Sequence, residues 1–165
     1  MQYIVITRRR SEKFPESDYT PERLAAETAA VRKLYGDGIV RHIWHRGDVG
    51  GACLLLEVET EDGVKSALDR LPLFGLGMQE AVSIVPLAPY RGFAAETAAV
   101  RKLYADGIVR HIWHRGDVGG ACLLLEVESE DGAKSALDRL PLFGLGMQEA
   151  VSIVPLAPYR GFAAE

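Results

Sequence analysis

Cysteine is almost absent from this chain. Its two examples, Cys53 and Cys122, occupy the same apolar word, Ala-Cys-Leu-Leu-Leu, so neither a disulfide framework nor a cysteine metal site is indicated. A buried thiol is the expectation for both. The chain also lacks a secretory leader pattern and any apolar run near the roughly 20 residues of a membrane span. A cytoplasmic protein without a membrane partner is therefore expected. A basic excess is missing too, since the formal net charge is −4. That balance argues against a general nucleic-acid binder. The one cationic cluster, Arg8-Arg9-Arg10, is followed by Glu12 and reads as a solvated strand end that can still attract an anionic substrate.

What is abundant is repetition. Residues 25–96 reappear at 94–165 with an offset of 69 and three mismatches, Gly36/Ala105, Thr60/Ser129 and Val64/Ala133. The tripeptide Ala-Ala-Glu occurs at 25–27, 94–96 and 163–165, which marks the joint. The second copy has no counterpart of residues 1–23.

In the first copy, the β-branched and aromatic run at 2–8 predicts a strand. Thr20-Pro21-Glu22 supplies a cap, a first-turn proline and an acid, which predicts a helix to about Tyr35. Residues 39–46 and 52–58 form a predicted hairpin across Arg46-Gly47-Asp48-Val49-Gly50-Gly51. Thr60 opens a second helix that Pro72 closes, and 80–87 is the last strand. The order βαββαβ predicts an α+β, ferredoxin-like unit over 1–92, followed over 93–165 by a partial αββαβ copy without a first strand. The bare sheet face predicts a homo-oligomer packed through sheet faces, with strand exchange a further option. Because the first strand is central, the strand at 80–87 is expected to serve both copies, and the strand at 149–156 to be displaced or exchanged.

Glu27 falls on the inward stripe of the first helix with Leu24, Val31 and Leu34 or Tyr35. A carboxylate against apolar surface gains a raised pKa suited to proton transfer; the alternative is a stripe-edge glutamate paired with an arginine. In Arg41-His42-Ile43-Trp44-His45, alternation puts His42 and Trp44 on one strand face and Arg41, Ile43 and His45 on the other. His42 and Trp44 could line a pocket or pack at an interface. The His-x-x-His spacing suits a metal poorly, because the imidazoles point in opposite directions. Arg46-Gly47-Asp48 reads as turn chemistry, and Gly75-Leu76-Gly77 lacks the strand-to-helix context of a nucleotide loop.

These residues carry a resemblance. Arg41-His42-Ile43-Trp44 is similar to the Arg-His-Leu-Trp of the muconolactone isomerase family, Leu71-Pro72-Leu73-Phe74 follows the second helix as in that family, and Glu27 stands where its members carry a proton-transfer glutamate. The resemblance implies a cofactor-free shift of a double bond on a carboxylated lactone, within aromatic catabolism, by homo-oligomers of ferredoxin-like dimers in the dimeric α/β-barrel group. It assigns Glu27 and, through the repeat, Glu96 as catalytic residues. Arg41, His42 and Trp44, with Arg110, His111 and Trp113 in the second copy, would bind substrate. The chain departs from the family after this motif, where Val49-Gly50-Gly51-Ala52-Cys53-Leu54 replaces a polar and aromatic stretch. A cofactor-free oxygenase or ligand-binding relative, or an assembly-altering duplicated variant without activity, is the alternative.

Overall fold

The computed structural model describes residues 1–92 and 94–162. In chain order the strands are β1 (Gln2–Arg9), β2 (Val40–Arg46), β3 (Ala52–Glu57), β4 (Gln79–Pro89), β5 (Val109–Arg115), β6 (Ala121–Leu125) and β7 (Leu156–Pro158). The helices are α1 (Pro21–Gly36), α2 (Glu61–Asp69), α3 (Pro72–Gly75), α4 (Ala94–Ala105), α5 (Glu130–Asp138) and α6 (Pro141–Gly144). The chain divides into two compact units, Met1–Pro86 with Val154–Glu165, and Leu87–Ile153. The last copy of the joint tripeptide, 163–165, lies outside the described residues.

In the first unit the strand order is β4–β1–β3–β2–β7, consistent with a ferredoxin-like α+β arrangement to which β7 has been added. β1 pairs antiparallel with β3 from Gln2↔Glu57 to Ile6↔Cys53, and β3 pairs antiparallel with β2. Helix α1 begins where Thr20 Oγ1 accepts from the Arg23 N–H at 3.4 Å and Pro21 needs no donor of its own. Its buried residues are Val31 and Leu34, while Tyr35 turns outward. Those two side chains pack with Tyr3 and Val5 of β1, Ile43 of β2, Leu54 and Leu56 of β3, and Val64 and Leu68 of α2. Tyr19, Leu73 and Met78 form a second cluster, with Phe14 and Leu24 against it.

The second helix is shorter than its sequence pattern suggests. It stops at Asp69, and Pro72 starts the separate single turn α3 instead of closing α2. Proline at the first helical position costs nothing, because that N–H would lack a partner anyway. β4 is longer than expected at both ends and carries Pro86 within it.

The second unit has β5 paired with β6 antiparallel, and β5 paired with Leu87–Pro89 at the end of β4. Its core joins Val100 and Leu103 of α4, Val109 of β5, and Ala136, Leu137 and Leu140 of the α5 region. The segment expected as a strand at 149–156 is not one: only Leu156–Pro158 is extended and paired, and it belongs to the first unit beside β2. The word Gln-Glu-Ala-Val-Ser-Ile-Val is strand at 79–85 and irregular at 148–154. The identical residues differ only in surroundings, because no counterpart of β1 is present to pair with the second. Pairing context outweighs intrinsic strand preference.

Met78 and Met147 tell the same story. Met78 is 1% exposed against Tyr19 and Leu73, whereas Met147 is 70% exposed. The side chains that cover Met78 include Phe14, Tyr19 and Leu24, all from the part of the sequence that was not repeated.

Candidate functional site

Glu27 projects from the second turn of α1 and is half-buried. Its Oε2 accepts the Leu73 backbone N–H at 2.9 Å. That donor is one of the first amides of α3, which have no partner inside so short a helix, so the carboxylate acts as a cap supplied from another element. Burial pushes the Glu27 carboxyl above its ordinary value, and the Leu73 hydrogen bond opposes this in part. The inward placement read from the helical stripe therefore carries the electrostatic consequence expected of it. No arginine partner appears at Glu27 among the described residues.

The sequence alone did not bring out the two aromatic neighbours. Burial holds the Tyr159 phenol above its ordinary value; the Thr28 side chain opposes this, the Glu27 carboxylate adds to it, and Arg32 opposes it. The Tyr159 ring is 4.9 Å from the His45 ring. Partial burial pushes His45 below its ordinary value, and Arg9 and Arg160 add to the effect. A carboxyl held up, an imidazole held down and a phenol held up thus gather in one unit, with two guanidinium groups nearby.

Segment 154–162 is fastened there by several contacts. Trp44, His45 and Arg46 of β2 pair with Pro158, Ala157 and Leu156. Arg32 Nε donates to Gly161 O at 2.7 Å, and Phe162 packs 4.8 Å from Tyr35 and 5.4 Å from Tyr159.

The second unit repeats this arrangement with residues shifted by 69. Leu87, Ala88 and Pro89 pair with Arg115, His114 and Trp113, the same register as on β2. Tyr90 stands 4.8 Å from His114, and the His114 Nε2 accepts from the Gly92 N–H at 3.4 Å. Burial raises the Tyr90 pKa, and Glu96 adds to it. Glu96 is only 6% exposed and accepts the Leu142 N–H at 3.1 Å. Each glutamate therefore faces a tyrosine that follows the paired end strand of the other sequence copy. The sequence led to the expectation that the strand at 149–156 is displaced or exchanged; the structure displaces it within the same chain, and the tyrosines carried no signal of their own.

The other predicted site residues lie elsewhere. Arg41 is bound to Glu57 at 2.7 Å on the surface, and Arg110 stands 3.7 Å from Glu126. His42 stacks on Trp44 at 5.5 Å and 18°, and His111 on Trp113 at 5.3 Å and 21°. On β2 these rings share the face opposite to Ile43, which packs with α1. Tyr159 packs on His45 and feels the Glu27 charge; Arg41, His42 and Trp44 do not join them. Of the arginine cluster, Arg8 and Arg10 are drawn to Glu80, while Arg9 donates to Glu16 at 3.2 Å, lies 4.4 Å from the Tyr19 ring centroid and acts on His45.

The two units differ in charge. Arg9 belongs to the unrepeated part of the chain, so no counterpart accompanies His114. Asp48 is held low by Arg46, whose Nε donates to it at 2.9 Å, so the Arg-Gly-Asp word closes its own turn. Among the described residues no group of three or more His, Cys, Asp or Glu converges on a metal position, and no helix is long and apolar enough to cross a membrane.

No family model matches the chain, and no curated protein matches it. Among solved structures it is similar to 5-chloro-2-hydroxyhydroquinone dehydrochlorinase (TftG) of Burkholderia phenoliruptrix AC1100 in complex with 2,5-dihydroxybenzoquinone, with a TM-score of 0.39 and 20% identity, over 51% of this chain and 88% of that one.

Proposed function

We propose that the chain is a cofactor-free small-molecule isomerase of the muconolactone isomerase type, acting at Glu27. The observation that carries this reading is the half-buried Glu27 carboxyl with a raised pKa, within electrostatic reach of Tyr159, whose ring packs on His45. A carboxylate so poised takes a proton from a carbon adjacent to a lactone carbonyl and returns it to another carbon of the conjugated system. The double bond shifts, and nothing is gained or lost. The Tyr159 hydroxyl stays protonated through neutral pH and donates to the oxygen where enolate charge develops. Arg9 and Arg160 attract the substrate carboxylate. Glu96, His114 and Tyr90 form a second site of the same type with weaker attraction for an anion, because Arg9 has no counterpart there. The protein works as a ferredoxin-like homo-oligomer in the cytoplasm.

The test is turnover of muconolactone by the intact chain and by Glu27→Gln. Turnover that Glu27→Gln lowers, with unfolding midpoint retained, supports the reading. An equal rate in the variant, or no turnover in the parent, overturns it.

A second reading is favoured by the Leu73 hydrogen bond. Here Glu27 is the structural cap of α3 in a non-catalytic, ligand-binding or assembly-altering duplicated protein. It requires Glu27→Ala to lower stability in a chain that turns over no lactone.

A further inference from the structure

β3 and β6 have the same sequence from the alanine through the valine that follows each strand, and they pack differently. Leu54, Leu55 and Leu56 are buried at 2%, 5% and 1%, whereas Leu123, Leu124 and Leu125 are half-exposed. β3 is paired on both sides, with β1 and with β2. Among the described residues β6 pairs with β5 alone and ends the strand order.

Three further features show that the open side of β6 is shaped for a strand. A Cβ at Gly51, which has a φ of +150°, would strike the Thr7 carbonyl, and one at Gly50 would come within 2.9 Å of Arg9 Cδ. At Gly120, with φ +142°, the nearest atom to such a Cβ is Arg115 Cδ at 3.7 Å, and at Gly119 nothing lies within 4 Å. The two glycines that let β1 approach in the first copy are thus present without an approaching strand. At the far end, the Val58 N–H donates to Met1 O at 3.0 Å. Its counterpart Val127 is 37% exposed.

The backbone donors can be assigned as well. Val58 N–H points to β1 and Glu57 N–H points to Ile39 O on the opposite side. By alternation, the N–H groups of Leu123, Leu125 and Val127 point to the open side of β6. Glu126 N–H donates to Ile108 O at 2.8 Å, as the alternation requires.

We infer that β6 is a strand-acceptor site for an extended peptide of the Gln2–Arg9 type, supplied in trans. The register of β1 on β3, shifted by 69, places Tyr3 opposite Leu125, Val5 opposite Leu123 and Ile6 opposite Cys122. The ligand class is an extended segment with an apolar or β-branched residue at alternate positions, followed by basic residues. A second intact molecule is not the donor, because its β1 is already central in its own unit and each chain carries one such strand for two places.

The test titrates a peptide of residues 1–10 into the full-length chain and reads backbone amide exchange by NMR. Saturable binding is expected, with exchange at Leu123, Leu125 and Val127 slowed tenfold or more. N-methylation of the peptide at Tyr3 and Val5, whose amides face the acceptor, abolishes binding; N-methylation at Ile4 and Ile6, which face away, preserves it. Because these changes are in the peptide, the folding of the chain is untouched. The inference is overturned by absence of saturation, by protection outside β6, or by equal binding of the two methylated peptides. Protection of β6 that rises with protein concentration in the absence of peptide also overturns it, because a second copy then covers the edge.

Discussion

The rings of His45 and Tyr159 lie 4.9 Å apart, although the histidine comes from the first sequence copy and the tyrosine from the second. The contact exists because Leu156–Pro158 pairs with the end of β2 and brings the next residue over the strand. His114 and Tyr90 reproduce it at 4.8 Å with the copies reversed. A carboxylate, Glu27 or Glu96, completes each group.

Glu27→Gln should reduce lactone turnover by about a hundredfold or more, the usual contribution of a positioned general base. Glu96→Gln should have the smaller effect, because Arg9 stands only at the first site. Steady-state kcat of the two variants side by side checks this. A larger loss from Glu96→Gln reverses the assignment.

The Glu27 shift has a signed consequence for stability. Its pKa in the folded chain is raised, so the folded state holds this proton more tightly than the unfolded chain. That contribution is complete below the ordinary carboxylate value of 4.5 and is lost as pH rises through the folded value. His45 behaves in the opposite sense, since its pKa is lowered: its contribution is present above 6.5 and fades as pH falls through the folded value. Because the two act in opposite senses between pH 4 and 7, the measurement is a difference: in urea unfolding the parent should lose stability with rising pH relative to Glu27→Gln, in which only the His45 contribution remains. If the two pH profiles run parallel, Glu27 is not the titrating group.

Removing residues 154–165 should expose His45 and raise its pKa toward 6.5, because burial and Arg160 both depress it. NMR titration of the imidazole checks this. Amide protection at Trp44–Arg46 should fall in the same sample, since β7 supplies the ladder on that side. An unchanged imidazole titration would show that the segment does not shield it.

The same substitution at equivalent positions should have unequal effects. Met78→Ala removes a side chain that is 1% exposed and should cost about 2–5 kcal/mol. Met147→Ala acts on one that is 70% exposed and should stay within about 0.5 kcal/mol. Chemical denaturation of both variants gives the comparison, and equal costs would mean that the second methionine is covered in solution.

Much of the secondary structure was legible because it rests on local rules. Thr20 with Pro21, Thr60 with Glu61, and the alternation in residues 2–8 each specify a segment through capping or strand periodicity. The inward position of Glu27 followed from helical spacing with Val31, and the copy at Glu96 followed from the offset. What spacing could not give was pairing at a distance. Segment 149–153 has the same residues as part of β4 and still forms no strand, because a strand needs a partner and the partner was not repeated. Tyr159 and Tyr90 were invisible for a related reason: each sits beside its carboxylate only after an end strand has paired with the other copy's hairpin. Arg41 looked like a substrate anchor from its motif, yet the structure engages it with Glu57.

The discontinuity of the first unit also sets an order of events during synthesis. All of Leu87–Ile153 leaves the ribosome before Val154–Phe162, which supplies the last strand beside β2. The inner unit can therefore gather its own core of Val100, Leu103, Val109 and Leu137 while the outer one still has an open edge along β2. Completion of the Glu27 group waits for Val154–Phe162, so a nascent chain that has emerged only as far as Ile153 carries every residue of the Glu96 group and still lacks Tyr159 of the Glu27 group.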